Sequence, residues 1–108
     1  MDHFALADLA ARRAEADQPY LEFLRVPDLS VGLYVLPAGG VDRQRPHTED
    51  EVYYVIAGRA RFTVGGEEQD VRAGSILFVR ATLAHRFHDI EEDLVVLVAF
   101  GPAEGSRA

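Results

Sequence analysis

The sequence predicts an all-β fold, a barrel or sandwich of short strands, preceded by one short α-helix. Three observations carry this. The first stretch is rich in Ala, Leu, Arg and Glu and places its apolar residues at helical spacing. From Tyr20 onward the texture changes, and Val, Leu, Tyr and Phe cluster in short runs separated by Pro, Gly and Asp. Those turn residues recur about every ten positions, the punctuation of an antiparallel β domain.

The helix is expected over residues 3–16, with Phe4, Leu6, Leu9, Ala10 and Ala14 on its apolar face, Asp2 as its cap and Pro19 as its stop. Strands are expected near 20–26, 31–37, 51–57, 59–64, 68–72, 75–80, 84–89 and 94–100. Two hairpins are expected. Gly58 lies between VYYVIA and RARFTV, and Gly65-Gly66 lies between RFTV and EEQDVR, where a two-residue primed turn fits. Residues 59–64 alternate Arg59, Arg61 and Thr63 with Ala60, Phe62 and Val64, so one face is wet. Residues 52–57 and 94–100 are apolar on both faces. One face of each fills a barrel, and the other needs covering by the N-terminal segment or a second subunit. No repeat or linker is visible, so the chain reads as one domain over 1–108 with its barrel over about 20–100. The last eight residues, GPAEGSRA, read as frayed.

Composition narrows the chemistry. A chain of 108 residues that is 48% hydrophobic and 27% charged can bury about two-thirds of its unfolded surface without a staple. A net charge of −7 argues against nucleic acid and anionic membranes, both of which need basic surfaces. Cys is absent, which removes thiolate nucleophiles and Cys-ligated metals. All 11 cations are Arg, which removes Schiff-base lysines. The first stretch, MDHFALADLAARRAEAD, is interrupted by Asp8, Arg12 and Arg13 and lacks a secretory h-region, and Leu94 to Phe100 is far short of the ~20 residues of a membrane helix, so a cytoplasmic protein is expected.

Four His remain, and with Glu51 two of them form the set that can carry chemistry. His47 and His85 with Glu51 make two imidazoles and one carboxylate, the facial set of non-haem Fe(II) and also the His₂Glu set of catalytic zinc. On one extended strand His47 and Glu51 would be ~13 Å apart, too far to share an ion. A turn through Thr48-Glu49-Asp50 lets His47 end one strand and Glu51 begin the next, so that the two side chains converge. His85 shares strand parity with Phe87 and faces the cavity if Phe87 faces the core.

These residues resemble the cupin superfamily. Its first motif runs Gly, five residues, His, one residue, His, three or four residues, Glu, six residues, Gly. Gly39, His47, Glu51 and Gly58 match it at every spacing, with Arg45 in place of the first His. The second motif matches at Gly74 and His85, with Arg80, Thr82 and Asp89 replacing its Pro, Gly and Asn. The stretch between, residues 59–73, has the short length of bacterial single-domain members. The resemblance implies a double-stranded β-helix, a jelly-roll barrel, with a metal at its mouth. It implies His47, Glu51 and His85 as three ligands of a divalent ion (Fe, Mn, Ni or Zn).

Arg45 cannot ligate, because a guanidinium has no free lone pair. Three arrangements follow: three protein ligands only, Gln44 supplying its amide oxygen, or Arg45 turned inward onto Glu51 in place of the metal. Two functions from different classes stand on these. One is a metal-dependent oxidoreductase, dioxygenase-like or isomerase-like, acting on a small molecule, with Arg45 and Tyr53 as pocket residues. The other is a non-catalytic module that binds an anion or sugar through Arg45. A homodimer is expected in either case. Plainer roles are expected elsewhere: Tyr53 as a core aromatic with a satisfied hydroxyl, His88 on the outer face, His3 in solvent. Glu49, Asp50 and the run Glu91, Glu92, Asp93 read as solvated loop faces. Arg43, Arg59, Arg61 and Arg72 read as surface pairs.

Overall fold

A computed structural model describes residues 1–108. One helix, α1 (Leu6–Ala16), precedes six strands: β1 (Tyr20–Val26), β2 (Leu29–Leu36), β3 (Asp50–Val64), β4 (Glu67–Arg72), β5 (Ile76–Val79) and β6 (His85–Gly101). All pairs are antiparallel, in the order β1-β2-β6-β3-β4, with β5 also on β3. Two long strands do what four short ones were expected to do. The first half of β3 pairs with β5 and with the end of β6, and its second half pairs with β4 and the start of β6. The sheet thereby curls around one core and forms the expected double-stranded β-helix.

The joint between the halves corrects the expected hairpin at Gly58. The chain does not reverse there. Register shifts between Val55 and Arg61 bend β3, and Gly58 supplies the bend with φ +97°. Residues 84–89 and 94–100 likewise merge into β6 across Asp89, which has φ +49°. The second expected hairpin forms: Val64 pairs with Glu67 across Gly65-Gly66, with positive φ at Gly65.

Inward residues of both halves make the core. Tyr53, Phe62 and Phe87 meet with ring centroids 4.7–5.7 Å apart, in tilted or edge-on contacts, among Val55, Val71 and Val96. The helix lies outside this core against β1 and β2. Leu9 is buried, and Phe4 packs on Phe23 at 4.9 Å. It begins later than expected. Ala5, not Asp2, is the N-cap, with no side-chain cap bond, and left-handed Asp17 ends the helix two residues before Pro19. No helix is long and apolar enough to cross a membrane.

The C-terminal eight residues are not frayed. Ala103 is 1% exposed, and its N–H donates to the Pro27 carbonyl (3.3 Å). The Glu104 N–H donates to Ser30 Oγ (2.8 Å), and Gly105 and Arg107 donate to the two oxygens of Glu49 (2.8 and 3.1 Å). Glu49 is therefore buried rather than a solvated loop face. Burial alone would raise its carboxyl pKa, but hydrogen bonds from Thr48, Gly105 and Arg107 outweigh that and hold it low. Asp50, Glu91, Glu92 and Asp93 are exposed, but on strands rather than loops: Asp50 opens β3, and the other three lie within β6.

Candidate metal centre

Glu51, second residue of β3, and His85, first residue of β6, point into the barrel beside Tyr53 and Phe62. His47 does not end a strand. It lies in the irregular segment before β3, edge-on to Phe100 at 4.8 Å. That segment is fixed by backbone: the Thr82 N–H donates to the His47 carbonyl at 2.6 Å. Thr82 occupies the place of the motif's Gly and keeps a left-handed φ of 70°. A β-branched residue is strained there by about 1–2 kcal/mol, and that strain sits next to the site.

One ligand atom each from His47, Glu51 and His85 lie within 4.8 Å of one another. The His85 and Glu51 side chains are each 1% exposed, with Nε2 and Oε1 2.8 Å apart. His85 Nδ1 is 2.8 Å from the Leu83 carbonyl, an acceptor only, so Nδ1 carries the proton. In neutral His85 the Nε2 lone pair then faces a carboxylate. Neither Nε2 nor either Glu51 oxygen has a hydrogen bond of acceptable geometry, although Nε2 and Oε1 are within ion-pair distance. Two lone-pair atoms this close and this dry require a positive charge, a proton or a cation. Burial pulls the His85 pKa down, and the Glu51 carboxylate with the Leu83 carbonyl pushes it further up, so the net direction is upward.

Gln44 is half-buried at the same mouth. Its Oε1 accepts from the Tyr53 hydroxyl (3.0 Å) and lies 3.4 Å from His47 Nε2. Asp42 sets that orientation. Its buried carboxylate accepts from Gln44 Nε2 (3.1 Å), the Gln44 N–H (3.0 Å), the Tyr34 hydroxyl (2.7 Å) and the Phe87 N–H (2.9 Å). Arg45 is exposed and makes no ion pair with Glu51. Tyr53 is fully buried, its hydroxyl satisfied by Gln44. Burial, then the neighbouring Glu51, pushes its pKa upward, so it stays a hydrogen-bond donor.

A cavity of about 300 Å³ opens beside Gln44, His85, Thr63 and Arg86, the lower end of small-molecule pocket size. A second cavity, about 110 Å³, lies against His47, Tyr20, Tyr34, Phe100 and Glu104 and shares Gln44 with the first. A larger one, about 540 Å³, lies away from both, between Arg59 on β3 and Asp70 and Arg72 on β4, and touches none of the buried unpartnered polar atoms. His88, with Glu68 and Asp89, makes a further cluster on the outside. There His88 Nε2 meets Thr63 Oγ1 (2.7 Å), Nδ1 meets Asp89 (2.9 Å), and Glu68 is held by Arg61 (2.7 Å), so the group is satisfied as a surface network. His3 is exposed.

Sequence reasoning missed Asp42 and Glu104. Asp42 was findable: an Asp side chain accepting the N–H two residues on is an Asx-turn, a local signal. Glu104 approaches His47 Nδ1 at 3.2 Å from the far end of the chain, with no local signal.

Comparison with known proteins agrees with this architecture. The family model described as "Cupin domain" matches residues 32–100. An uncharacterized protein of Streptomyces coelicolor is 54% identical over 104 residues, covering 96% of this chain and 99% of its own length. The crystal structure of TT1209 from Thermus thermophilus superposes with a TM-score of 0.75 at 23% identity, covering 95% of this chain and 99% of that one. KdgF from Halomonas sp. superposes with a TM-score of 0.72 at 21% identity, over 82% of each chain.

Proposed function

Because this chain belongs to the cupin family, we propose that it binds one divalent metal ion through His47, Glu51 and His85, with Gln44 as a fourth donor, and acts on a small molecule at that centre. The observation that carries this is the buried Glu51 carboxylate, which faces His85 Nε2 at 2.8 Å and has no hydrogen bond of acceptable geometry to either oxygen. Two imidazoles, a carboxylate and an amide oxygen are a borderline donor set suited to Fe(II), Mn(II), Ni(II) or Zn(II). When bound, the ion supplies Lewis acidity toward an oxygen of the small molecule.

The chain's own groups do the rest. The Leu83 carbonyl fixes the His85 tautomer, and Asp42 holds the Gln44 amide so that its oxygen faces inward. The Tyr53 hydroxyl, kept protonated by burial, is held beside the same oxygen. Gln44 stands one residue from Arg45 and takes the ligand role that the guanidinium cannot. Substrate reaches the centre through the cavity bounded by Thr63 and Arg86.

Metal-stripped protein is expected to take up about one ion per chain from a panel of these four metals. At a free metal concentration 100 times the dissociation constant, the fold gains about 2.7 kcal/mol, roughly 10 °C in Tm, and a chelator reverses it. No uptake from any of the four, with no thermal response, removes the reading. A thermal response to small carboxylates or sugar acids alone would instead favour the anion-binding module.

Two copies pair through the outer face of β3 and β5. Val52, Tyr54, Ile76 and Phe78 are 42–71% exposed, and the register sets Val52 beside Phe78 and Tyr54 beside Ile76 in one uncharged block. A self-complementary patch of this kind suits a two-fold dimer. Light scattering on a sizing column at micromolar concentration should give a dimer, and Phe78→Arg a monomer. A monomeric wild type ends this assignment.

A further inference from the structure

We propose that the C-terminal segment 102–108 is a latch that seats Glu104 on His47 Nδ1, making Glu104 a positioning residue that commits the His47 Nε2 lone pair to the metal centre. The proposal rests on the metal-binding reading for its consequence, but its geometry stands apart from it.

The segment is fastened on both sides of Glu104. Before it, Ala103 is buried and donates to the Pro27 carbonyl. At Glu104 itself, the N–H donates to the fully buried Ser30 hydroxyl (2.8 Å), and the carbonyl accepts from Arg25 (2.9 Å). After it, Gly105 and Arg107 donate to Glu49, whose carboxylate is 1% exposed. Burying a carboxylate and turning both its oxygens onto backbone N–H groups of a chain terminus fixes that terminus far more firmly than ordinary surface packing. With its backbone held at these points, Glu104 presents Oε2 to His47 Nδ1 at 3.2 Å.

The consequence follows from counting protons. A neutral imidazole has one N–H to donate. His47 has acceptors on both sides, Glu104 at 3.2 Å on Nδ1 and Gln44 Oε1 at 3.4 Å on Nε2. Gln44 Oε1 already accepts from Tyr53, whereas Glu104 offers a nearer oxygen on a fastened backbone, so the proton goes to Nδ1. The Nε2 lone pair is then left bare beside the Gln44 oxygen. This reproduces at His47, through a side chain 57 positions away in the sequence, what the Leu83 carbonyl does locally for His85. It also makes the latch one wall of the cavity of about 110 Å³ beside His47.

The test uses full-length protein with Glu104→Ala and Glu104→Gln. Nitrogen-15 correlation spectra of metal-free protein at about pH 8, above the usual imidazole range, should show His47 with its proton on Nδ1. Glu104→Ala should lose that preference, and Glu104→Gln, which keeps an acceptor, should restore it. Zinc affinity, read by competition with a chelating dye, should fall 10–100-fold in Glu104→Ala. An unchanged tautomer in Glu104→Ala, or no restoration in Glu104→Gln, overturns the proposal. So does zinc affinity that stays at the wild-type value in Glu104→Ala. If wild type takes up no metal at all, the metal-binding reading fails while the tautomer measurement still decides the role of Glu104.

Discussion

Glu51→Gln is expected to remove tight metal binding and to leave a folded protein. Groups that merely orient ligands change metal affinity 10–100-fold. Glu51 is the only anion among the proposed ligands, so its loss should cost ~10³-fold or more, about 4 kcal/mol. The substitution keeps the side chain's size, and an amide buries at lower cost than an unpartnered carboxylate, so the cost should fall on binding rather than on folding.

The metal-free proteins separate the two roles Glu51 can have. Burial opposes charge on His85, and the Glu51 carboxylate with the Leu83 carbonyl outweighs it, so the folded-state pKa is raised. A raised value means that the attraction is fully present below the unfolded imidazole value near pH 6.5 and is lost as pH rises through the folded value. Metal-free wild type should therefore lose stability over that window, and Glu51→Gln should lose little. Above it, the variant should be at least as stable as wild type and show no metal-induced rise in Tm. Calorimetry with and without zinc across pH 5–9 reads both. Wild-type zinc affinity in the variant would exclude Glu51 as a ligand. A loss of 3 kcal/mol or more at every pH would instead mark the pair as purely structural.

The site was legible where its signal is chemical identity at fixed spacing. His47, Glu51 and His85 stand out because no other arrangement of this chain's few His residues brings ligand types together at motif distances, and parity placed His85 and Phe87 on the same inner face. The bends were not legible. A glycine with positive φ looks the same in sequence whether it reverses a chain or kinks a strand that continues. VYYVIA-Gly58-RARFTV therefore read as two strands, although β3 runs through it. Distinguishing them needs the partner strand, and β6 lies about 35 residues further on. The latch was hidden for a related reason. Small and polar residues at a terminus ordinarily fray, and what holds GPAEGSRA down is Glu49 and Ser30, 56 and 74 positions from the N–H groups they accept. Arg45 occupies a ligand position of the motif, yet it is exposed, and the amide oxygen at the mouth belongs to the neighbouring Gln44. Only the Asx-turn at Asp42 hints at that shift of one residue.

Gly58→Ala is expected to cost about 3–5 kcal/mol, out of the roughly 5–15 kcal/mol that holds a domain of this size together. Two causes add. The backbone is at φ +97°, which L side chains rarely adopt, and a Cβ there would lie 2.3 Å from the Asp93 carbonyl oxygen and 2.7 Å from Leu94 Cα. Both contacts are backbone, so no side chain can rotate away. Relief requires β6 to move off β3 where Leu94, Val96 and Val98 enter the core. Gly65→Ala supplies the control. It too has positive φ, +58°, but nothing lies within 4 Å of its Cβ, so it should lose only the conformational part, about 1–2 kcal/mol. The difference between the two variants in urea midpoint isolates the steric cost of bringing the barrel's two halves together at one glycine. If they differ by less than about 1 kcal/mol, the close approach of β3 and β6 is soft, and the bend is set by the register shifts on either side rather than by the missing side chain.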